Sequence, residues 1–302
     1  MQNVPAREVP WPRIRELVVD ALTLGHQIHM AHGLVELDIS RPMALIDEYK
    51  PRLPDGLSFT AFMVYCLGHA IGQHPMMHAY RKGRRKLVMF DDVDVNTLLE
   101  KRKPDGTLIP VFYIVRGADK KSLAQINHEM REASRSDLYD DAGVRQRRRI
   151  VRLPRPARRV IWWWLRRDPA RLKQQWGTTA VSNVGSFISP RPSWGISISF
   201  LTSVLILGGM FDKVYWTDNG AQPRRTLSAT ITVNHDIVDG APGARFGETL
   251  AQMIEGAAGL DDAFLAEALA LGGHEPGGTV LPGAAPAPRA ASEQPEMNHE
   301  RA

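Results

Sequence analysis

Residues 232–240 read Thr232-Val-Asn-His-Asp-Ile-Val-Asp-Gly240, and the organisation of the chain follows from them. Upstream, Leu227, Ala229, Ile231 and Val233 alternate with Ser228, Thr230, Thr232 and Asn234. A period of two marks a half-buried strand. His235 falls in phase with the apolar set, which predicts that it projects inward at the strand's end. Asp239-Gly240 breaks the strand, and Phe246, Leu250, Met253 and Ile254 follow at helical spacing. The expected unit is strand, tight turn, helix, with a histidine held at the turn. An inward histidine alone is more often a packed core residue than a reactive one, so its context decides.

That context is His235-x-x-x-Asp239-Gly240, continued by Ala241-Pro-Gly-Ala-Arg-Phe246, with Gly177-Thr-Thr-Ala-Val-Ser-Asn-Val-Gly185 upstream. The two blocks, in this order, resemble the catalytic domain of 2-oxo acid dehydrogenase acyltransferases, whose upstream segment reads Gly-Thr-Phe-Thr-Ile-Ser-Asn-Leu-Gly. Asp94-Val95, Leu108–Val111 and Arg116 to Leu123 resemble that domain's paired strands and the helix after them. His74-Pro75 resembles its His-Pro helix end, and His78 stands near a position where the family has asparagine. The resemblance implies an α/β (α+β) fold: a chloramphenicol acetyltransferase-like two-layer sandwich, a mixed β-sheet with helices packed on one side.

Acyl transfer between thiols needs a base, an oxyanion donor and exclusion of water. A neutral His235 supplies the base; the resemblance assigns the oxyanion donor to the Ser182 hydroxyl. The bland alternative for Ser182 is a strand-end serine bonded to local backbone. The resemblance makes Asp239, Gly240 and Asn183 structural at the site, with Asp239 pairing with an N-terminal arginine, for which Arg13 and Arg15 are the candidates. Gly240 is expected to supply a backbone shape that a side chain would block. The substrate implied is coenzyme A or acyl-CoA, with no metal and no covalent lipoyl group on this chain. The implied assembly is a homotrimer with sites between subunits, served by a separate lipoyl or other acyl-carrier protein. Two-lobed condensation enzymes of the same superfamily carry His-His-x-x-x-Asp-Gly; here Asn234 precedes the histidine. The competing reading is a non-catalytic scaffold or binding subunit that keeps the motif for structure.

The expected domain spans 1–272, with a basic insertion at about 136–175 and a disordered tail at 273–302, where Gly, Pro, Ala and polar residues show no apolar period. Hydrophobic content of 43% and charged content of 24% are ordinary for a globular chain. Cys66, the lone cysteine, cannot form an internal disulfide, and its apolar neighbours favour a buried, inert thiol. The N-terminal residues lack the apolar core of a signal peptide, no apolar run reaches membrane-spanning length, and no lipoyl-attachment lysine context is present. These features lead to the expectation of a cytoplasmic protein, with a peripheral position at the membrane as the second expectation. His26, His29 and His32 do not converge on one face as metal ligands would. Ser58 and Ser122 read as N-caps of helices, Leu87–Val95 and Leu108–Val115 as strands, and Lys103–Gly106 as the turn between the latter two.

Residues 144–173 depart from the family. They hold eleven arginines and Lys173 against Asp168, a local charge of +11 in a chain of +5. Around Trp162-Trp163-Trp164, helical projection puts Val160, Trp163, Trp164 and Arg167 on one side, flanked by Arg158, Arg159, Arg166 and Arg171. Three readings stand open: an arm packed on its own domain, a peripheral contact of 145–173 with anionic membrane, where each arginine would contribute roughly 1 kcal/mol, and binding of coenzyme A phosphates or nucleic acid. Nucleic acid is the least expected, because no binding fold accompanies the charge.

Overall fold

The computed structural model describes residues 7–13, 15–102, 108–136, 149–218 and 220–272. The Lys103–Gly106 turn, the first part of the insertion and the tail lie outside them. Eight strands and eight principal helices make up the regular structure of the described residues. They are α1 (Arg15–Gly25), β1 (Met30–Asp38), α2 (Ser40–Tyr49), α3 (Phe59–Gln73), β2 (Tyr80–Lys82), β3 (Lys86–Val88), β4 (Val95–Arg102), β5 (Leu108–Val115) and α4 (Leu123–Arg135). After the insertion begins come α5 (Arg155–Arg167), α6 (Pro169–Trp176), β6 (Thr179–Asn183), β7 (Ser203–Thr217), β8 (Gly220–Asn234), α7 (Gly240–Glu255) and α8 (Asp262–Gly272).

Six strands form one mixed sheet in the order β1-β8-β7-β6-β4-β5. β8 runs antiparallel to both β1 and β7, β6 runs parallel to β7 and β4, and β5 returns antiparallel to β4. The expected alternation in β8 is present: Leu227, Ala229, Ile231 and Val233 join the core beneath α2, α3, α4, α7 and α8. Ser228, Thr230 and Thr232 face the other side and are also fully buried. The expected strand at Leu87–Val95 is instead interrupted; Phe90–Asp94 is irregular between β3 and β4. Consecutive acids there disfavour a continuous strand.

α3 anchors the helix layer. Ser58 caps it, accepting from the Ala61 amide at 3.4 Å, and Phe62, Met63, Val64, Cys66, Leu67, Ala70 and Ile71 are all buried. It stops at His74 because Pro75 disfavours a helical conformation in the residue before it. Ser122 and Gln125 form the capping box that starts α4. Burial pushes the Cys66 thiol far above its ordinary range, which removes it as a nucleophile.

The opposite face of the sheet is covered by α6, with α1 and α5 beside it, and by the segment between β6 and β7. Leu172, Leu201, Val204, Ile206 and Tyr80 pack there. A charge cluster ties α6 to the β4–β5 pair: buried Asp94 accepts from Arg116 at 2.7 Å, Arg116 donates to the carbonyls of Lys173 and Gln174, and Lys173 bonds Asp92 at 2.5 Å. The insertion therefore packs as an arm. Arg158, expected on the exposed flank, is instead buried and bridges Asp20 at 2.7 Å and Glu16, both on α1. Trp162 stacks on Trp176 at 5.5 Å and meets Phe200 edge-on.

Two predictions follow from this packing. Replacing Arg158 by methionine strands the buried Asp20 carboxylate and should cost roughly 3 kcal/mol, read as a lower urea midpoint with an unchanged slope. His78 is buried beside Phe90, and burial first, Lys173 next, hold its pKa below the ordinary histidine value. The fold thus favours neutral His78, so its contribution is present above the unfolded pKa and is lost as pH falls below it. Wild type should lose more stability than His78→Gln between pH 7 and about 5.5, measured by urea unfolding at both pH values.

Candidate active site

The β8–α7 turn is built by Asn234. Its amide donates to the Thr202 carbonyl at 2.7 Å, fixing the strand's last residue. Its buried side chain accepts from the Asp236 amide at 2.9 Å, and its carbonyl accepts from the amides of Ile237 and Val238. The chain reverses around a single asparagine, whose short polar side chain suits such a role. Val238 then plugs the core at 1% exposure, and Asp239 is the residue before α7.

His235 sits at the apex. Its amide donates to the His29 carbonyl at 2.7 Å, across the end of β1. Its side chain is exposed in this chain, not inward as the alternation predicts. β8 ends at Asn234, and the turn redirects the next residue out of the strand's phase. The imidazole has no hydrogen-bond partner among the described residues. Beside it, His29 Nδ1 and Asp236 Oδ1 share a 2.8 Å contact, and His32 shares a hydrogen bond with Thr232.

Two further expectations are corrected. Asp239 is exposed, makes no side-chain cap and pairs with neither Arg13 nor Arg15 in the described chain; Arg15 lies instead over the Trp11 ring. A Cβ built on Gly240 would meet nothing within 4 Å, so no steric block requires glycine there within one chain.

Ser182 lies near the end of β6, half-buried, on the sheet face away from the helix layer, where Ala180 and Ile206 also point. Its hydroxyl has no hydrogen-bond partner among the described residues. Asn183 turns to the other face and donates to the Thr60 hydroxyl at 3.3 Å near the start of α3. Its side-chain oxygen Oδ1 is buried without a hydrogen-bond partner among the described residues.

Sequence reading missed the support beneath this serine. Added Cβ atoms would fall 1.8 Å from the Gly208 carbonyl oxygen at Gly185, 2.0 Å from the Ser193 oxygen at Gly208, and 2.0 Å from the Arg191 oxygen at Gly209. Three backbone segments thus touch directly where β7 bulges between Leu207 and Met210. The signal was present: Gly208-Gly209 interrupts the apolar run Val204–Met210, and glycine inside a strand marks a bulge or close backbone approach.

The register separates Ser182 from His235. Ser182 lies level with Ile206, which lies level with Thr230, five residues before His235. At about 3.3 Å per residue and 4.8 Å between strands, Ser182 and His235 are about 19 Å apart in one chain. They do not form one site within it.

The family model for the 2-oxoacid dehydrogenases acyltransferase (catalytic domain) matches residues 3–138 and 169–260. The chain belongs to this family. The stretch that the match passes over contains α5. A similar curated protein is the dihydrolipoyllysine-residue acetyltransferase component of the pyruvate dehydrogenase complex of Mycoplasma pneumoniae, 28% identical over 202 residues, 66% of this chain and 42% of that protein. Its Corynebacterium glutamicum counterpart is 22% identical over 257 residues, covering 80% of this chain and 33% of that one. The chain therefore spans less than half the length of the curated relatives it matches. Among solved structures, a probable dihydrolipoamide acetyltransferase from Listeria monocytogenes aligns with TM-score 0.61 at 19% identity, over 83% of this chain and 95% of that one. The dihydrolipoamide acetyltransferase of Azotobacter vinelandii aligns equally well, at 17% identity over 84% and 97%. The mixed-sheet fold expected from the sequence is the fold these proteins share, but α1, α5 and α6 cover the sheet face that was expected to carry no helices, because Leu172, Trp162 and Leu165 pack an apolar side there.

The glycine contacts carry a prediction. Gly185→Ala forces main chain against main chain and should cost about 3 kcal/mol or more, whereas Gly240→Ala should change stability by less than about 0.5 kcal/mol. Equal urea midpoints for the two variants would contradict the close packing.

Proposed function

We propose that this chain is an acyltransferase that moves an acyl group between coenzyme A and a thiol of the dihydrolipoyl type, at sites shared between the subunits of a homotrimer. The observation that carries the proposal is the separation of His235 and Ser182. Neither side chain has a hydrogen-bond partner among the described residues, and each stands at a different margin of the same sheet. A closed ring of identical chains joined head to tail brings the histidine margin of one copy to the serine margin of the next.

In such a site the neutral imidazole of His235 accepts the proton of the attacking thiol. The thiolate sulfur bonds to the thioester carbonyl carbon, and the carbonyl electrons move onto oxygen. The Ser182 hydroxyl of the neighbouring subunit donates a hydrogen bond to that oxyanion. Collapse breaks the original carbon–sulfur bond, and the leaving thiolate takes the proton back from His235. Asn183, held by Thr60, and Asn234, which builds the turn, position these two groups. Support also comes from the Azotobacter acetyltransferase, where the roles of a serine, a histidine and an asparagine four residues after the histidine have been investigated. Here His235 follows Ser182 at nearly the same interval, with Asp239 at the fourth position.

The test is complementation. His235→Ala and Ser182→Ala should each lose at least about 100-fold in kcat for acetyl transfer from acetyl-CoA to dihydrolipoamide. Unfolded together in equal amounts and refolded, they should regain about a quarter of wild-type activity, because random assembly pairs an intact histidine with an intact serine at one interface in four. Mixtures as inactive as their parents would remove the shared site. A wild type without transfer activity or coenzyme A binding would favour a non-catalytic scaffold.

A further inference from the structure

The inserted helix α5 has two faces with different surroundings. Its inner face is fixed by the Arg158 bridge to α1, by Leu165 against Leu24, and by Trp162 between Trp176 and Phe200. Its outer face carries Val160, Trp163 and Trp164, which are 62%, 54% and 48% exposed. Arg155, Arg159, Arg166 and Arg167 are exposed around them. Asp168, the one acid between Arg155 and Trp176, stands between α5 and α6 and is already engaged, capping α6 and pairing with Arg171 at 3.0 Å. A helix anchored on its inner side cannot turn these indoles into its own core. The helix also lies in the stretch without a counterpart in the family match, so acyl transfer does not account for it.

We propose that the outer face of α5 docks peripherally on an anionic lipid bilayer. Val160, Trp163 and Trp164 would enter the boundary between headgroups and acyl chains, with Arg155, Arg159 and Arg167 on the phosphates. The chemistry of the face selects this occupant. An indole places an apolar body in the boundary layer and a polar N–H at its edge, and arginine keeps its charge in water while its stem lies on apolar surface. An amphipathic helix of this pattern lies in the interface plane. At 13 residues it is about 20 Å long, and no described helix is long and apolar enough to cross a membrane. A single-stranded nucleic acid would use open ring faces for stacking. Here Arg167 covers one face of Trp163 at 3.9 Å and Arg171 one face of Trp164 at 3.7 Å.

Flotation of the full chain with vesicles tests the proposal. Phosphatidylcholine vesicles containing about 30% phosphatidylserine should bind at least about tenfold more protein at low salt than pure phosphatidylcholine vesicles, with a blue shift of tryptophan emission and release at about 0.5 M salt. Val160→Ser/Trp163→Ala should lower the bound fraction about tenfold while the thermal midpoint stays near wild type, because both side chains lie outside the packed face. Arg159→Glu/Arg167→Glu should abolish the preference for anionic vesicles. Equal binding of both vesicle types, no binding to either, or an unchanged bound fraction in the Val160/Trp163 variant would overturn the proposal. So would single-stranded DNA that displaces the protein from vesicles and binds it more tightly than they do.

Discussion

The directions of three neighbouring strands govern this molecule. β6 and β7 run parallel and β7 and β8 antiparallel, so β6 and β8 end at opposite margins of one sheet. Groups that share one reaction must approach to about 3–3.5 Å, and the hydrogen-bond ladder between these strands holds Ser182 and His235 several times farther apart, so under the proposed function they belong to sites completed by different chains. Nothing short of breaking the sheet would close that gap within one chain. Each margin is separately reinforced. Under the serine, Gly185, Gly208 and Gly209 let three backbone segments touch. Under the histidine, Asn234 spends its amide, side chain and carbonyl on the turn.

Much of this was legible in the sequence because local rules and tertiary packing agree. β8 shows its period of two, α3 and α4 show their serine caps, and α7 follows a clear helical face. The motif residues declared the family, and the family declared the fold. Where reading failed, a contact distant in sequence decided. The phase argument aimed His235 inward, but it assumes that the strand continues, and Asn234 ends it one residue earlier. Gly240 was assigned a steric reason that the surrounding space does not supply. Asp239 was given an arginine partner that one chain does not bring near. β7 escaped notice because its first half is continuously apolar, its second half is exposed, and two glycines stand between.

The insertion shows the same division. Helical projection separated Trp163 and Trp164 from Trp162, and the structure exposes the first two and buries the third. Projection could not single out Arg158 for burial, because that depends on Glu16 and Asp20 lying opposite it. A buried guanidinium with two carboxylates is tolerable only because the charges are paired and hydrogen-bonded. This pairing ties the basic helix α5 to α1.

The amide of His235 is bonded to the carbonyl of His29, just before β1, while its imidazole has no hydrogen-bond partner among the described residues. Position and orientation are therefore governed separately. The sheet edge sets where the ring's root lies, and only two side-chain torsions stay undecided. Fixing such a side chain costs about 0.5–1.5 kcal/mol, far less than ordering a loop of several residues. A neighbour that meets this margin has only a ring to turn, so little conformational entropy opposes the completed arrangement.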